Sequence, residues 1–295
     1  MTTSGVAGAG VRRRRPTGHH RLRRLPWWIC FAILVGGGLL WVYPFVWMVS
    51  ASLKTSMEVF TSGLSLIPRT FALGNYSRAW NDASFGRYMI NTVIVTISTV
   101  AIVVVRCALC GYVLGRYRFP GSRLIVGILI ATLFVPTGYT IIPVVKLSLS
   151  LGVLNSLTGM ILALSGAANV SSILIYAGYF RQLPKEIEEA AIVDGAGFFR
   201  LFFSIMLPLS KPITATVALL TFLFTWNAFF LPLVFSFSRP SLRTLSVGMQ
   251  AFVGENATDW SGMAAAAVIS IVPIVAIFLF LQRYFIEGIA GAVKS

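Results

Sequence analysis

The chain has 295 residues, 57% of them hydrophobic and only 11% charged, with a formal net charge of +15. A soluble domain carries about 25% charged residues, so this composition excludes an ordinary soluble fold. The basic excess also fails to indicate nucleic acid binding, because its placement follows a membrane pattern.

Between charged residues lie six long uncharged runs: 25–53, 88–105, 124–145, 147–180, 212–238 and 260–282. Each supplies about 20 apolar residues, enough to cross a hydrocarbon core of roughly 30 Å. Continuous apolar runs favour helices over a barrel, whose strands alternate in hydrophobicity. The expectation is an all-α polytopic membrane protein with spans at about 27–50, 88–113, 123–145, 157–180, 212–235 and 261–284.

Placing the N-terminus inside puts 16 of the 24 basic residues on the inner side. By the positive-inside rule both termini are then cytoplasmic. Residues 1–24, rich in Gly, Thr and Arg, read as a disordered basic tail, and 25–295 as the transmembrane domain. The arginines followed by an apolar run resemble a signal peptide, but the run is long and no small-residue cleavage site follows, so it reads as a retained anchor. Cys30, Cys107 and Cys110 all fall inside expected spans, where an odd number gives no disulfide framework and helix packing accounts for them. The third span carries Pro136, Gly138 and Pro143, which predict a kink or break, read equally as cavity lining or as packing. In the fourth, Ser165, Gly166, Ala167 and Ala168 predict close helix contact. Asn91, Tyr139, Asn169, Trp226 and Asn227 are polar or aromatic residues within spans. They are candidate pathway-lining residues, and helix-to-helix hydrogen bonding accounts for the asparagines equally well.

None of the nine acidic residues lies within a span. Ion-coupled transporters place ionisable groups at membrane depth, so this chain reads as a passage without its own energy source. It has no GxxxxGK[ST] phosphate loop, no metal-ligand cluster and no nucleophile–base set, so no enzymatic activity, metal site or cofactor is expected. A self-contained secondary transporter or channel is the alternative reading, and a scaffold for a membrane complex is a third.

The charged interlude 181–211 stands apart. Pro184 suits a first helical position, and Glu186, Glu188 and Glu189 fall in the first turn, where the helix dipole favours them. Ala190 and Ala191 offer a small surface for close approach. Asp194 is expected to cap a second helix, with Gly195 allowing the change of direction. The pattern fits a docking surface, and on the residues alone it fits an amphipathic connector on the membrane somewhat better.

Glu189-Ala190-Ala191, then Gly195, Ile205 and Leu207-Pro208, resembles in spacing the EAA loop of bacterial ABC-importer permeases. Tyr43-Pro44, Gly74-Asn75-Tyr76, Arg118-Phe119-Pro120-Gly121, Trp226-Asn227 and the ending from Gln282 to Ser295 are similar to the sugar-importing, MalG-type branch. The resemblance covers about 27–295; the arginine-rich N-terminus departs from it. It implies the type I ABC importer permease fold and a bacterial cell membrane location. Its implied partners are a second, MalF-type permease, an ABC ATPase dimer that binds the ATP, an extracytoplasmic solute-binding protein, a sugar and membrane lipid. By the same resemblance Glu188, Glu189, Ala190, Ala191, Asp194, Gly195, Ala196 and Pro208 couple to the ATPase. Gly288, Gly291 and Lys294 belong to a tail that reaches between ATPase subunits, and the outer loop 248–256 lies where related subunits meet the binding protein.

Overall fold

The computed structural model describes residues 27–166, 169–254 and 258–292, with backbone alone at 137 and from 283 onward. The basic tail, Ala167, Ala168, Glu255, Asn256 and Lys294 lie outside the described residues. Among the described residues there is no strand; Val253 and Thr258 form an isolated bridge. By its packing the chain divides into a unit ending at Val46 and one starting at Trp47. The first contains most of helix α1 (Trp27–Ser52), a run of exposed apolar residues.

Among the described residues three helices are uninterrupted and apolar enough to cross a membrane: α1, α2 (Phe85–Arg116) and the Trp260–Gln282 part of the last helix, which runs Trp260–Ala292. The other three expected spans each contain two helices. Residues 123–145 hold α3 (Ser122–Thr132) and the start of α4 (Ile141–Ser150), separated at Pro136. Proline there lacks an N–H and disfavours helical backbone in the residue before it. Pro143 sits in the first turn of α4, where no N–H is needed. Residues 157–180 hold α5 (Leu157–Gly166) and α6 (Val170–Gln182), bent by 57°, with Asn169 left-handed at φ 38°. Residues 212–235, expected as one span, divide instead into α9 (Lys211–Trp226) and α10 (Phe230–Ser236). Asn227 ends α9 by donating its side-chain amide to the Leu223 carbonyl at 2.8 Å. The interlude supplies α7 (Glu186–Val193) and α8 (Phe198–Leu209), and Trp260–Ala292 is α11.

Helix α2 is the axis of the second unit. Its N-terminal end joins Phe85 and Tyr88 to Phe222, Trp226, Leu245, Phe252, Ala265 and Ala266. Its middle places Val95 among Met160, Leu164 and Phe235. Its C-terminal half buries Val103, Cys107, Ala108 and Tyr112 with residues of α6, α7, α8 and α9. The tightest seam is α2 against α6. A Cβ on Gly115 would lie 2.7 Å from the Ala177 carbonyl oxygen, and one on Gly111 would meet Tyr176 and the same backbone. Gly111-Tyr112-Val113-Leu114-Gly115 is a GxxxG face, which lets helix backbones approach where apolar burial gives no driving force. Cys107 is buried and Cys110 exposed, both as free thiols.

Candidate functional site

Helix α7 begins at Glu186, two residues later than Pro184 suggests, with Glu186, Glu188 and Glu189 in its first turn. Its end is a Schellman turn. The Gly195 N–H donates to the Ile192 carbonyl at 3.0 Å and the Ala196 N–H to the Ala191 carbonyl at 2.9 Å, closing two orphan acceptors. Gly195 has φ +77°, and among the described residues no atom lies within 4 Å of the place a Cβ would take. Backbone conformation rather than crowding therefore selects glycine. Asp194 is the C-cap residue of α7. It does not cap the following helix as expected, because the N-cap of α8 is Gly197, three residues further on.

The eight residues of α7 divide sharply between two faces. Ala191 is buried in the core with Tyr112, Phe180, Phe202 and Met206, and Ala196 packs beside it. Ala190, Glu189, Glu186, Val193 and Asp194 are exposed, Val193 at 86%. The expected Ala-Ala docking surface is therefore half inward: Ala191 holds the helix to its own protein and Ala190 faces out.

Glu188 is likewise turned inward. Its carboxylate accepts from the Arg116 Nε at 2.9 Å, with side-chain exposures of 16% and 5%. The same guanidinium donates to the carbonyls of Leu183 at 2.7 Å, Pro184 at 3.2 Å and Phe180 at 3.3 Å. Arg116 ends α2, so one fork of donors ties the end of α2 to the end of α6 and to α7. Beneath it Tyr112 is fully buried, with ring centroids 5.5 Å from Phe180 and Phe202 and 5.7 Å from Phe198. The family resemblance counts Glu188 among the ATPase-coupling residues, while in the sequence Arg116 is only one of the basic residues expected inside and Tyr112 shows no sign of a role. The partner of Arg116 is 72 positions away, so no local pattern reveals it.

Helix α8 leads from this turn to Pro208. Residues 202–206 form a π turn, with the Leu207 N–H donating to the Phe202 carbonyl. Proline has no N–H to offer the carbonyl four residues back and its ring crowds that group, which a local widening of the helix relieves. Pro208 itself is exposed. At Ser210, fully buried, the chain turns by 81° into α9. The Ser210 hydroxyl donates to the Leu207 carbonyl at 2.8 Å, and Tyr179 of α6 donates to the Leu209 carbonyl at 2.9 Å. The interlude is thus an angle fastened to α2 by Arg116 and to α6 by Tyr179.

The candidate pathway residues separate into two groups. Asn91 is buried and donates both amide protons, to the carbonyls of Ser241 at 2.8 Å and Arg243 at 2.9 Å. Trp226 is buried, stacks on Phe222 and donates to the Ser270 carbonyl at 3.2 Å. Both are packing residues in this structure. Tyr139 at 78% exposure, the half-buried Asn169 and the exposed Asn227 instead sit at the three helix breaks. In and beside the loop 248–256, Gln250 and Ala251 are exposed while Val247, Gly248 and Phe252 are buried. Gly288 and Gly291 lie on the backbone of α11.

Asp259 binds three segments together. It accepts from the Gly262 N–H at 3.0 Å and from the hydroxyls of Ser56 and Ser261 at 3.0 Å, and pairs with Arg78 at 3.2 Å. Burial opposes its ionisation, but these donors and the guanidinium together hold the carboxyl below its ordinary value of 3.8.

Residues 107–291 match the family model described as "Binding-protein-dependent transport system inner membrane component". The chain is 35% identical over 269 residues to the diacetylchitobiose uptake system permease protein NgcG of Streptomyces coelicolor, covering 90% of this chain and 87% of that protein. It is 34% identical over 254 residues to the melibiose/raffinose/stachyose import permease protein MelC of Bacillus subtilis, covering 85% and 91%. Among solved structures, a bacterial ABC transporter involved in importing the acidic polysaccharide alginate has a chain that superimposes with a TM-score of 0.76. That match has 25% identity and covers 92% of this chain and all of that one.

Proposed function

The chain belongs to the family of binding-protein-dependent transport system inner membrane components, and we propose that it couples an ATPase to carbohydrate passage through the fastened angle at 186–210. In this reading both termini are cytoplasmic, and the interlude lies on the cytoplasmic side. The chain forms a pathway with a second, MalF-type permease above an ABC ATPase dimer, and an extracytoplasmic binding protein delivers a sugar or oligosaccharide. The sugar class rests on the named cargoes of the relatives and the alginate importer.

One observation carries the coupling role. The exposed face of α7 (Glu186, Glu189, Ala190 and Val193) is backed by a face locked to α2 and α6 through Arg116, Glu188 and Ala191. A push on the outer face is transmitted to two spanning helices without being absorbed by a flexible loop. Coupling then requires that the ATPase contact this face differently in its two states. Glu189, exposed and without a side-chain partner among the described residues, is the proposed charge partner for a basic residue of the ATPase. Gly195, Ala196, Asp194 and Pro208 set the angle, and Gly288, Gly291 and Lys294 are the proposed tail contacts. Tyr139, Asn169 and Asn227, at the breaks, are the proposed pathway residues.

The test is reconstitution of the chain with its second permease, ATPase and binding protein. Glu189→Lys leaves the chain in the membrane and removes uptake and ATPase co-purification. Wild-type uptake with this variant, or uptake by the chain alone in liposomes, excludes the proposal and favours a self-contained transporter.

A further inference from the structure

A groove of about 720 Å³ opens beside α7, between the end of α2, the start of α3 and the end of α6. Its walls carry five cations, Arg116, Arg118, Arg123, Arg181 and Lys185, against two acids, Glu188 and Glu189. Arg116 and Glu188 neutralise one another. Among the described residues Arg118, Arg123, Arg181 and Lys185 make no ion pair or side-chain hydrogen bond, and all four are exposed. The groove is therefore left with four uncommitted cations and a single carboxylate.

We propose that this groove binds the phosphate of an anionic phospholipid headgroup, and that α3 carries the acyl chain. The position of the cations selects a lipid over a soluble anion. Arg118 lies two residues beyond the apolar helix α2, Arg123 is in the first turn of α3, and Arg181 is in the last turn of α6. Each stands where an apolar helix meets its polar end, the depth at which headgroups sit. The groove floor adds Leu114 and Val126. Helix α3 buries none of its residues, and on the face that continues Arg123 and Val126 it leaves Ile130 at 41% exposure, with Leu133 just beyond its end at 51%, an apolar track starting at the groove. The site reaches Glu189 and Ile192 of α7, so a bound headgroup lies beside the exposed face of the coupling helix. This inference rests on the family's membrane location and not on the coupling proposal.

The test uses the whole chain in nanodiscs of phosphatidylcholine containing a minor fraction of phosphatidylglycerol, with co-purifying lipid measured by mass spectrometry after detergent extraction. Near an anionic surface each basic residue contributes on the order of fivefold in affinity. The triple variant Arg118→Gln/Arg123→Gln/Arg181→Gln is expected to lose about tenfold or more of the phosphatidylglycerol enrichment. The triple lysine variant is expected to keep most of it, and Arg123→Glu alone to lose part, which covers a failure of the triple glutamine variant to fold. The N-terminal arginines are common to all variants and cancel in the comparison. Unchanged enrichment in the triple glutamine and Arg123→Glu variants overturns the proposal. Displacement of the lipid by inorganic phosphate identifies a free-anion site and overturns the lipid assignment. Unchanged enrichment with loss of ATPase co-purification identifies an acidic protein surface as the occupant instead. Loss of uptake in Glu189→Lys with lipid enrichment intact separates the coupling proposal from this one.

Discussion

At the scale of single residues, Arg116 decides where the coupling helix sits. Its guanidinium makes four bonds, three of them to the carbonyls of Phe180, Leu183 and Pro184 at and just beyond the end of α6. Glu188→Ala leaves those three bonds in place and is expected to cost about 1–3 kcal/mol, the scale of one charge-assisted bond. Arg116→Ala removes all four and strands a largely buried carboxylate, for an expected cost of about 3–5 kcal/mol. Denaturant unfolding of the purified chain ranks the two; equal losses contradict the anchoring role. Gly195 makes a different kind of demand. Because a Cβ there meets open space while φ is +77°, Gly195→Ala is expected to cost about 1–2 kcal/mol from the left-handed conformation alone. Gly195→Asn, which tolerates that conformation, is expected to lose less. A larger loss with asparagine than with alanine, read from thermal unfolding and uptake, means that sterics govern the position.

At the scale of elements, the α2–α6 seam fixes how a displacement of α7 spreads. Gly115 faces the Ala177 carbonyl at a distance no Cβ occupies, so Gly115→Ala forces the two backbones apart. Overpacking of this kind costs about 1–3 kcal/mol, and Cys substituted on the facing surfaces of α2 and α6 should cross-link more slowly in that variant. Unchanged cross-linking would show that the seam absorbs a methyl group. The broken helices belong to this scale too. Pro136 is readable as a break, because proline's missing N–H acts locally. The interruption at Asn227 is not, because asparagine in an apolar run is equally able to hydrogen-bond a neighbouring helix, and only its actual acceptor, the Leu223 carbonyl, distinguishes the two.

At the scale of the whole molecule, Asp259 fastens the start of α11 to Ser56 and Arg78, some two hundred residues earlier in the chain. Its folded-state value is depressed below 3.8, so the unfolded chain takes up the proton first as pH falls. The stabilisation is fully present at pH values above 3.8 and is lost as pH falls from there through the lower folded value. Asp259→Asn is expected to be less stable at neutral pH and to show a smaller stability loss on acidification than wild type. Parallel acid profiles for the two proteins would remove Asp259 from the linkage.

The sequence by itself determined the class and the energetic division of labour. Uncharged runs of bilayer length demand helices, and charge asymmetry and missing intramembrane carboxylates are properties of composition and order alone. The spacing from Glu189 to Pro208 was legible for the same reason, since helix, turn and helix are local. Only the tertiary structure decided which side of each element faces inward. It turned Glu188 and Ala191 towards the protein and Glu189 and Ala190 away, and it made Asn91 and Trp226 packing residues. Those outcomes depend on partners far away in the chain, Arg116 for Glu188 and Ser270 for Trp226, and helical periodicity defines a face without saying what will cover it.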